Sequence, residues 1–136
     1  MNEIERIQKE LAEEIVSLGD SFEQYAYLIE LAALLPPLPP EKRTEERVVK
    51  GCQSHVWLDM HDKNGVFYAE ADSDTFIIKG ILYLLQRMFN GQPCTQVAAA
   101  DITLFDQTEL MVTFETDRQK GIGYIIKTIK QFAAGY

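Results

Sequence analysis

Four side chains have the chemistry of a nucleophile or a soft-metal ligand: Cys52, His55, His61 and Cys94. Together they would make a Cys2His2 zinc set, but the spacing is wrong for one. His55 and His61 lie six residues apart on a strand-like stretch. At ~3.3 Å per residue they stand ~20 Å apart, whereas both must come within ~2 Å of one ion. Two cysteines fall short of the four thiolates that an iron–sulfur cluster normally takes. No phosphate loop is present, and Gly121-Ile122-Gly123 has neither the downstream glycine nor the preceding strand of a dinucleotide fingerprint. No bound metal or cofactor is expected. What remains is thiol chemistry. Cys94 follows Pro93 at the start of a short helix and reads as a small buried hydrophobe. Cys52 stands in a loop-like corner, Val48-Val49-Lys50-Gly51-Cys52-Gln53-Ser54. Lys50 is its neighbouring cation, Gly51 removes bulk beside the sulfur, and His55 follows three residues on.

The elements that must position these groups follow from the hydrophobic period. Ile4, Ile7, Leu11 and Ile15 mark an amphipathic helix ending near Gly19. Asp20 or Ser21 caps a second helix predicted over Phe22 to Leu35, which Pro36, Pro37, Pro39 and Pro40 stop. Leu38 tucks the proline strap onto the core, and Glu41 to Arg47 reads as charged and exposed. Val56, Leu58 and Met60 alternate with Trp57, Asp59 and His61 as a strand. Asn64-Gly65 turns it into a returning strand, Val66 to Ala71. Ser73 or Asp74 caps a helix from Thr75 to Phe89 that Asn90-Gly91 closes. Pro93 opens a short helix through Ala100, Asp101 to Phe114 is predicted mostly helical, and Thr116 or Asp117 caps the final helix. A third strand is expected near Arg47 to Gly51. A hairpin segregated from helices means α+β: a small antiparallel sheet packed with helices, with residues 1–136 as one domain.

Composition narrows the function classes. The chain has 136 residues, 46% hydrophobic and 25% charged, with a net charge of −8. That describes a globular chain able to bury a real core. The negative balance speaks against nucleic acid and against an anionic membrane surface. The stretch from Met1 to Leu18 carries Glu3, Glu5, Glu10, Glu13 and Glu14, unlike the basic start and apolar run of a signal peptide. The apolar runs are far short of the ~20 residues of a membrane span. The expectation is a cytoplasmic protein with reduced cysteines.

The string Val49-Lys50-Gly51-Cys52-Gln53-Ser54-His55-Val56-Trp57 resembles the signature of the SufE family, sulfur-acceptor proteins of iron–sulfur cluster biogenesis, which reads G-C-x-S-x-V-W. Asp72-Ser73-Asp74 followed by Ile78-Lys79-Gly80 is similar to the family's D-S-D and V-K-G segment, and Arg118 followed by Gly121 to its R-x-x-G. Leu28-Ile29-Glu30-Leu31, Leu35-Pro36 and the Arg43 region fit as well. The chain departs from the pattern at Ala32, at Glu115-Thr116-Asp117-Arg118 and across Thr103 to Thr113.

The resemblance implies the α+β fold shared with the IscU-type scaffold proteins, and a function. Cys52 would take sulfur from the persulfide of a PLP-dependent cysteine desulfurase, stimulate that enzyme, and pass the sulfur to an iron–sulfur scaffold complex. The PLP belongs to the partner, and the chain itself is a covalent carrier rather than an enzyme. Monomer and homodimer both remain open. Gly51, Gln53 and Ser54 would shape the loop, with Gln53 and Ser54 hydrogen-bonding the thiolate or the loop backbone. Asp74 and Arg118 match family positions that position the loop or meet the desulfurase; the plain alternatives are a helix cap and a solvated first-turn residue. His55 either serves the same loop or is an exposed strand residue. A stand-alone thiol enzyme would instead need a base such as His55 on Cys52, and a scaffold module would need bound metal or cluster. Since the thiolate is the attacking species and an exposed one is prone to oxidation, a loop that holds Cys52 inward and swings out at Gly51 is expected.

Overall fold

The computed structural model describes residues 2–136; Met1 lies outside them. Two N-terminal helices come first, α1 over Glu3–Ser17 and α2 over Ser21–Ala32. Each is capped by a side chain, Asn2 accepting from the Glu5 amide and Asp20 from those of Phe22 and Glu23. The second helix stops three residues short of the expected Leu35. Ala33 to Leu35 fold into a tight turn instead, because the residue before Pro36 is pushed out of the helical region.

The hairpin pairs β1 (Val56–Lys63) with β2 (Val66–Ser73), and Asn64 and Gly65 both have positive φ in the two-residue turn. The returning strand runs two residues past Ala71, so Asp72 and Ser73 lie inside it and are buried. The expected third strand is only a bridge between Val48 and Trp57, reinforced by the Val49 amide on the Val56 carbonyl at 2.8 Å. After Val49 the chain must leave the sheet to form the Cys52 loop, and no ladder can continue. Helix α3 (Phe76–Phe89) is apolar on nearly every side, as a central helix must be. It packs under the sheet and against α1 and α2. Its Gly80 meets α2 so closely that a Cβ would stand 2.3 Å from the Leu28 carbonyl oxygen. Helix α4 (Cys94–Ala99) packs against α5 (Thr116–Ala133), which lays Ile122, Ile125, Ile129 and Ala133 into the core.

The sheet's second face is closed by ions. Trp57, Asp59, Glu70 and Asp72 point away from the helices. Leu38 is buried as expected, and its amide donates to Asp72 Oδ2 at 3.0 Å. The segment from Glu41 to Arg47 is not simply solvated. Two 3-10 turns aim Lys42 and Arg47 at Asp59, and Arg43 at Asp72. Burial alone would raise the Asp59 carboxyl, but Arg47, Lys42 and His61 outweigh it and hold it below the usual carboxylate range.

Asp101 to Phe114 is not helical either; it is a series of turns. Part of its backbone is paired within these turns, and part by two buried glutamines from distant helices. Gln8 accepts from the amides of Thr103 and Leu104 and donates to the Asp101 carbonyl, while Gln24 accepts from the Glu109 amide. A helix would hide those groups in its own ladder. Gln8→Leu should therefore cost about 2–3 kcal/mol, read as a lower denaturant midpoint at unchanged slope. A loss under about 0.5 kcal/mol would refute this account of the segment.

Candidate functional site

Between Val49 and Val56 the chain makes a loop without backbone partners: among the described residues, no main-chain hydrogen bond involves residues 50–54. The loop is held by side chains. Gly51 takes φ +95°, in the region only glycine adopts without strain, and the ring of Tyr124 lies over it. The Cys52 thiol donates to the Gly121 carbonyl on α5 at 3.3 Å. Gln53 donates to Asp117 Oδ2 at 3.2 Å, and the hydroxyls of Ser54 and Thr75 share a bond of 2.7 Å.

Cys52 lines a cavity of about 30 Å³ with Gln53, Ser54, Val56, Ile78, Asp117, Arg118, Gly121 and Ile125. That is room for about one water molecule. Five of the expected site residues sit at or beside it: Gly51, Cys52, Gln53, Ser54 and Arg118. The Arg118 guanidinium stacks over Phe114 at 5.6 Å and also borders a groove lined by Phe22, Tyr25 and Thr113. Lys50 is exposed and makes no ion pair among the described residues. His55 and Asp74 pair with each other at 3.2 Å, and His55 stacks on Trp57 with ring centres 5.7 Å apart. Burial would raise the Asp74 carboxyl, but His55 and Thr75 hold it down. The imidazole therefore serves Asp74, and among the described residues the one hydrogen bond of the Cys52 thiol goes to a carbonyl. Asp74 does not cap α3; the Ser73 hydroxyl accepts from the Thr75 amide at its entry.

Burial pushes the Cys52 thiol above the ordinary range. A raised value means less thiolate at neutral pH. Alkylation of Cys52 at pH ~7.5 should be slower than that of free cysteine, and should still climb past pH ~8.5, the ordinary thiol midpoint. A rate matching free cysteine would contradict this. The Cys94 thiol is buried and also raised, by burial first and then by its bond to Asp62.

Sequence reasoning missed Asp117 and Tyr124 and gave Gly121 no place at the thiol. One signal was available. A glycine inside an amphipathic helix weakens it and points to a packing reason, and Gly121 has one, since an added Cβ would stand 3.5 Å from the Cys52 sulfur; Gly123 has no such neighbour. Elsewhere, Asp59, His61 and Glu70 each place a ligand atom within 4.8 Å of the others. Lys42 stands 3.2 Å from Asp59 and 3.1 Å from Glu70, so the carboxylates there already hold a counter-charge. Among the described residues no helix is long and apolar enough to cross a membrane.

Residues 9–133 match the family model described as "SufE: Fe-S metabolism associated domain". A protein of Rhizobium etli described as an uncharacterized SufE-like protein is 33% identical over 129 residues, covering 91% of this chain and 87% of its own. Another of that description, from Rhizobium meliloti, is 28% identical over 131 residues, covering 93% and 94%. The solution structure of a hypothetical protein from Thermus thermophilus superposes with a TM-score of 0.77 at 20% identity, over 95% of this chain and 94% of that one. That last likeness speaks for the fold alone.

Proposed function

This chain belongs to the SufE family, whose domain is associated with iron–sulfur metabolism, and from that premise we propose that Cys52 accepts and carries sulfur. The donor in this reading is the persulfide of a cysteine desulfurase, which has its own PLP and which the chain stimulates by removing its product. The recipient is an iron–sulfur scaffold complex. Transfer needs no oxidant. Cys52 gives up its proton, and the thiolate attacks the outer sulfur of the donor persulfide. The donor's S–S bond breaks as the new one forms, and the donor cysteine leaves as a thiolate that takes up a proton. Cys52 is then the persulfide, and the same exchange in reverse delivers it.

One observation carries this reading: Cys52 is set in a loop free of backbone hydrogen bonds among the described residues, its thiol bonded only to a carbonyl. A thiol that does its own chemistry needs a base in reach; the imidazole three residues on is engaged with Asp74. A carrier borrows its activation from the donor's site, and its resting thiol is better protonated and sheltered. Lys50, Gln53, Ser54, His55, Asp74 and Arg118 surround the loop and meet the donor in this reading.

The test is intact mass after incubation with a cysteine desulfurase, PLP and cysteine. The wild-type chain should gain about 32 Da, one sulfur atom, lost again on treatment with a thiol reductant. No gain, or a gain mapped to Cys94, would defeat the proposal.

A further inference from the structure

Cys52 must leave its cavity to meet a persulfide on another protein, so something sets how easily the loop opens. The restraints on residues 50–54 can be ranked. The bond from the Cys52 thiol to Gly121 is of the weak S–H type. That from Gln53 to Asp117 is exposed and competes with water. The bond from Ser54 to Thr75 lies at the far end, next to β1. What covers the centre of the loop is one ring. An added Cβ on Gly51 would stand 2.7 Å from Tyr124 Cδ2 and 2.8 Å from Cε2. The ring thus lies face-on against the glycine's Cα, one residue before the thiol. Tyr124 is also 43% exposed. Its inner side closes the loop, while its outer side is open to any protein that docks there. Its hydroxyl makes no hydrogen bond among the described residues, so the ring does the packing.

We propose that Tyr124 is a latch: its ring, seated on Gly51, holds the Cys52 loop inward, and displacing it frees the thiol. This makes Tyr124 a positioning residue acting through the loop, and gives Gly51 a second role beyond its φ, as the flat seat on which an aromatic ring can lie. The proposal rests on the carrier reading for its purpose, but its test needs no sulfur donor, so the two stand or fall separately.

The experiment is alkylation of the isolated protein by iodoacetamide across pH 6.5–9.5, with Cys52 and Cys94 resolved by peptide mass. Tyr124→Ala should raise the Cys52 rate about tenfold near neutral pH by favouring the open loop, and move its pH profile toward that of free cysteine. Tyr124→Phe should stay within about twofold of wild type, since it keeps the ring. Gly51→Ala should also raise the rate, and adding it to Tyr124→Ala should give less than the product of the two effects, because both undo one contact. Cys94, buried at the other end of the hairpin, reports whether the fold survives. If Tyr124→Ala exposes Cys94 too, the milder Tyr124→Leu takes its place, with a rise of several-fold expected at Cys52 alone. An unchanged Cys52 rate in the variant that keeps Cys94 protected would overturn the latch, and so would Tyr124→Phe behaving like Tyr124→Ala.

Discussion

Cys52→Ser should accept no detectable sulfur from a desulfurase, while its melting midpoint stays within about 2 °C of wild type. The two halves of that expectation come from the same geometry. A serine hydroxyl fits the space of the thiol and can donate to the Gly121 carbonyl in its place, so the loop keeps its inward contact. The hydroxyl cannot ionise near neutral pH and does not attack a persulfide, so the transfer step is lost outright. Cys94→Ser provides the contrast. That thiol is 1% exposed and hydrogen-bonded to Asp62, so the exchange should cost stability but leave sulfur acceptance intact. Sulfur still bound to Cys52→Ser, or lost with Cys94→Ser alone, would reverse the assignment of the two thiols.

Asp72→Ala should lower the free energy of unfolding by about 3 kcal/mol, a drop of about 10 °C in melting midpoint. Asp72 is fully buried, and four groups converge on it. Arg43 donates at 2.5 Å, the Ser73 amide at 2.8 Å and the Leu38 amide at 3.0 Å, with Lys79 at 3.7 Å. Removing the carboxylate leaves the Leu38 amide buried without an acceptor and releases the strap from the sheet. The ammonium and guanidinium reach solvent, which moderates the cost. Asp72→Asn keeps an acceptor oxygen but loses the charge pairs, and should cost about half as much. A loss under about 1 kcal/mol for the alanine would show that the strap is held by the packing of Leu38 rather than by Asp72.

Local patterns are legible where local forces decide. The Asn64-Gly65 turn and the alternation of Val56, Leu58 and Met60 announce the hairpin, because turn geometry and the two-residue period act within a few positions. The helical period of Ile122, Ile125 and Ile129 places α5 with equal directness. Asp101 to Phe114 departs from its expected helix where the amides of Thr103, Leu104 and Glu109 are satisfied by Gln8 and Gln24, far away in the chain. Nothing in a local window distinguishes a buried glutamine that staples a distant loop from one on a helix surface. The same holds for Lys42, Arg43 and Arg47, whose expected solvation gives way to carboxylates on the sheet.

By itself, then, the amino-acid sequence determined where α1, α3, α4, α5 and the hairpin lie, along with the family carried by the string around Cys52. Only the tertiary structure decided the state of that thiol. The carbonyl that accepts its hydrogen bond, the carboxylate that holds Gln53 and the ring that seats on Gly51 all belong to α5, more than sixty residues further along. A loop without its own backbone hydrogen bonds has no conformation to announce locally. It takes its shape from what packs against it, and that is known only once the last helix has docked.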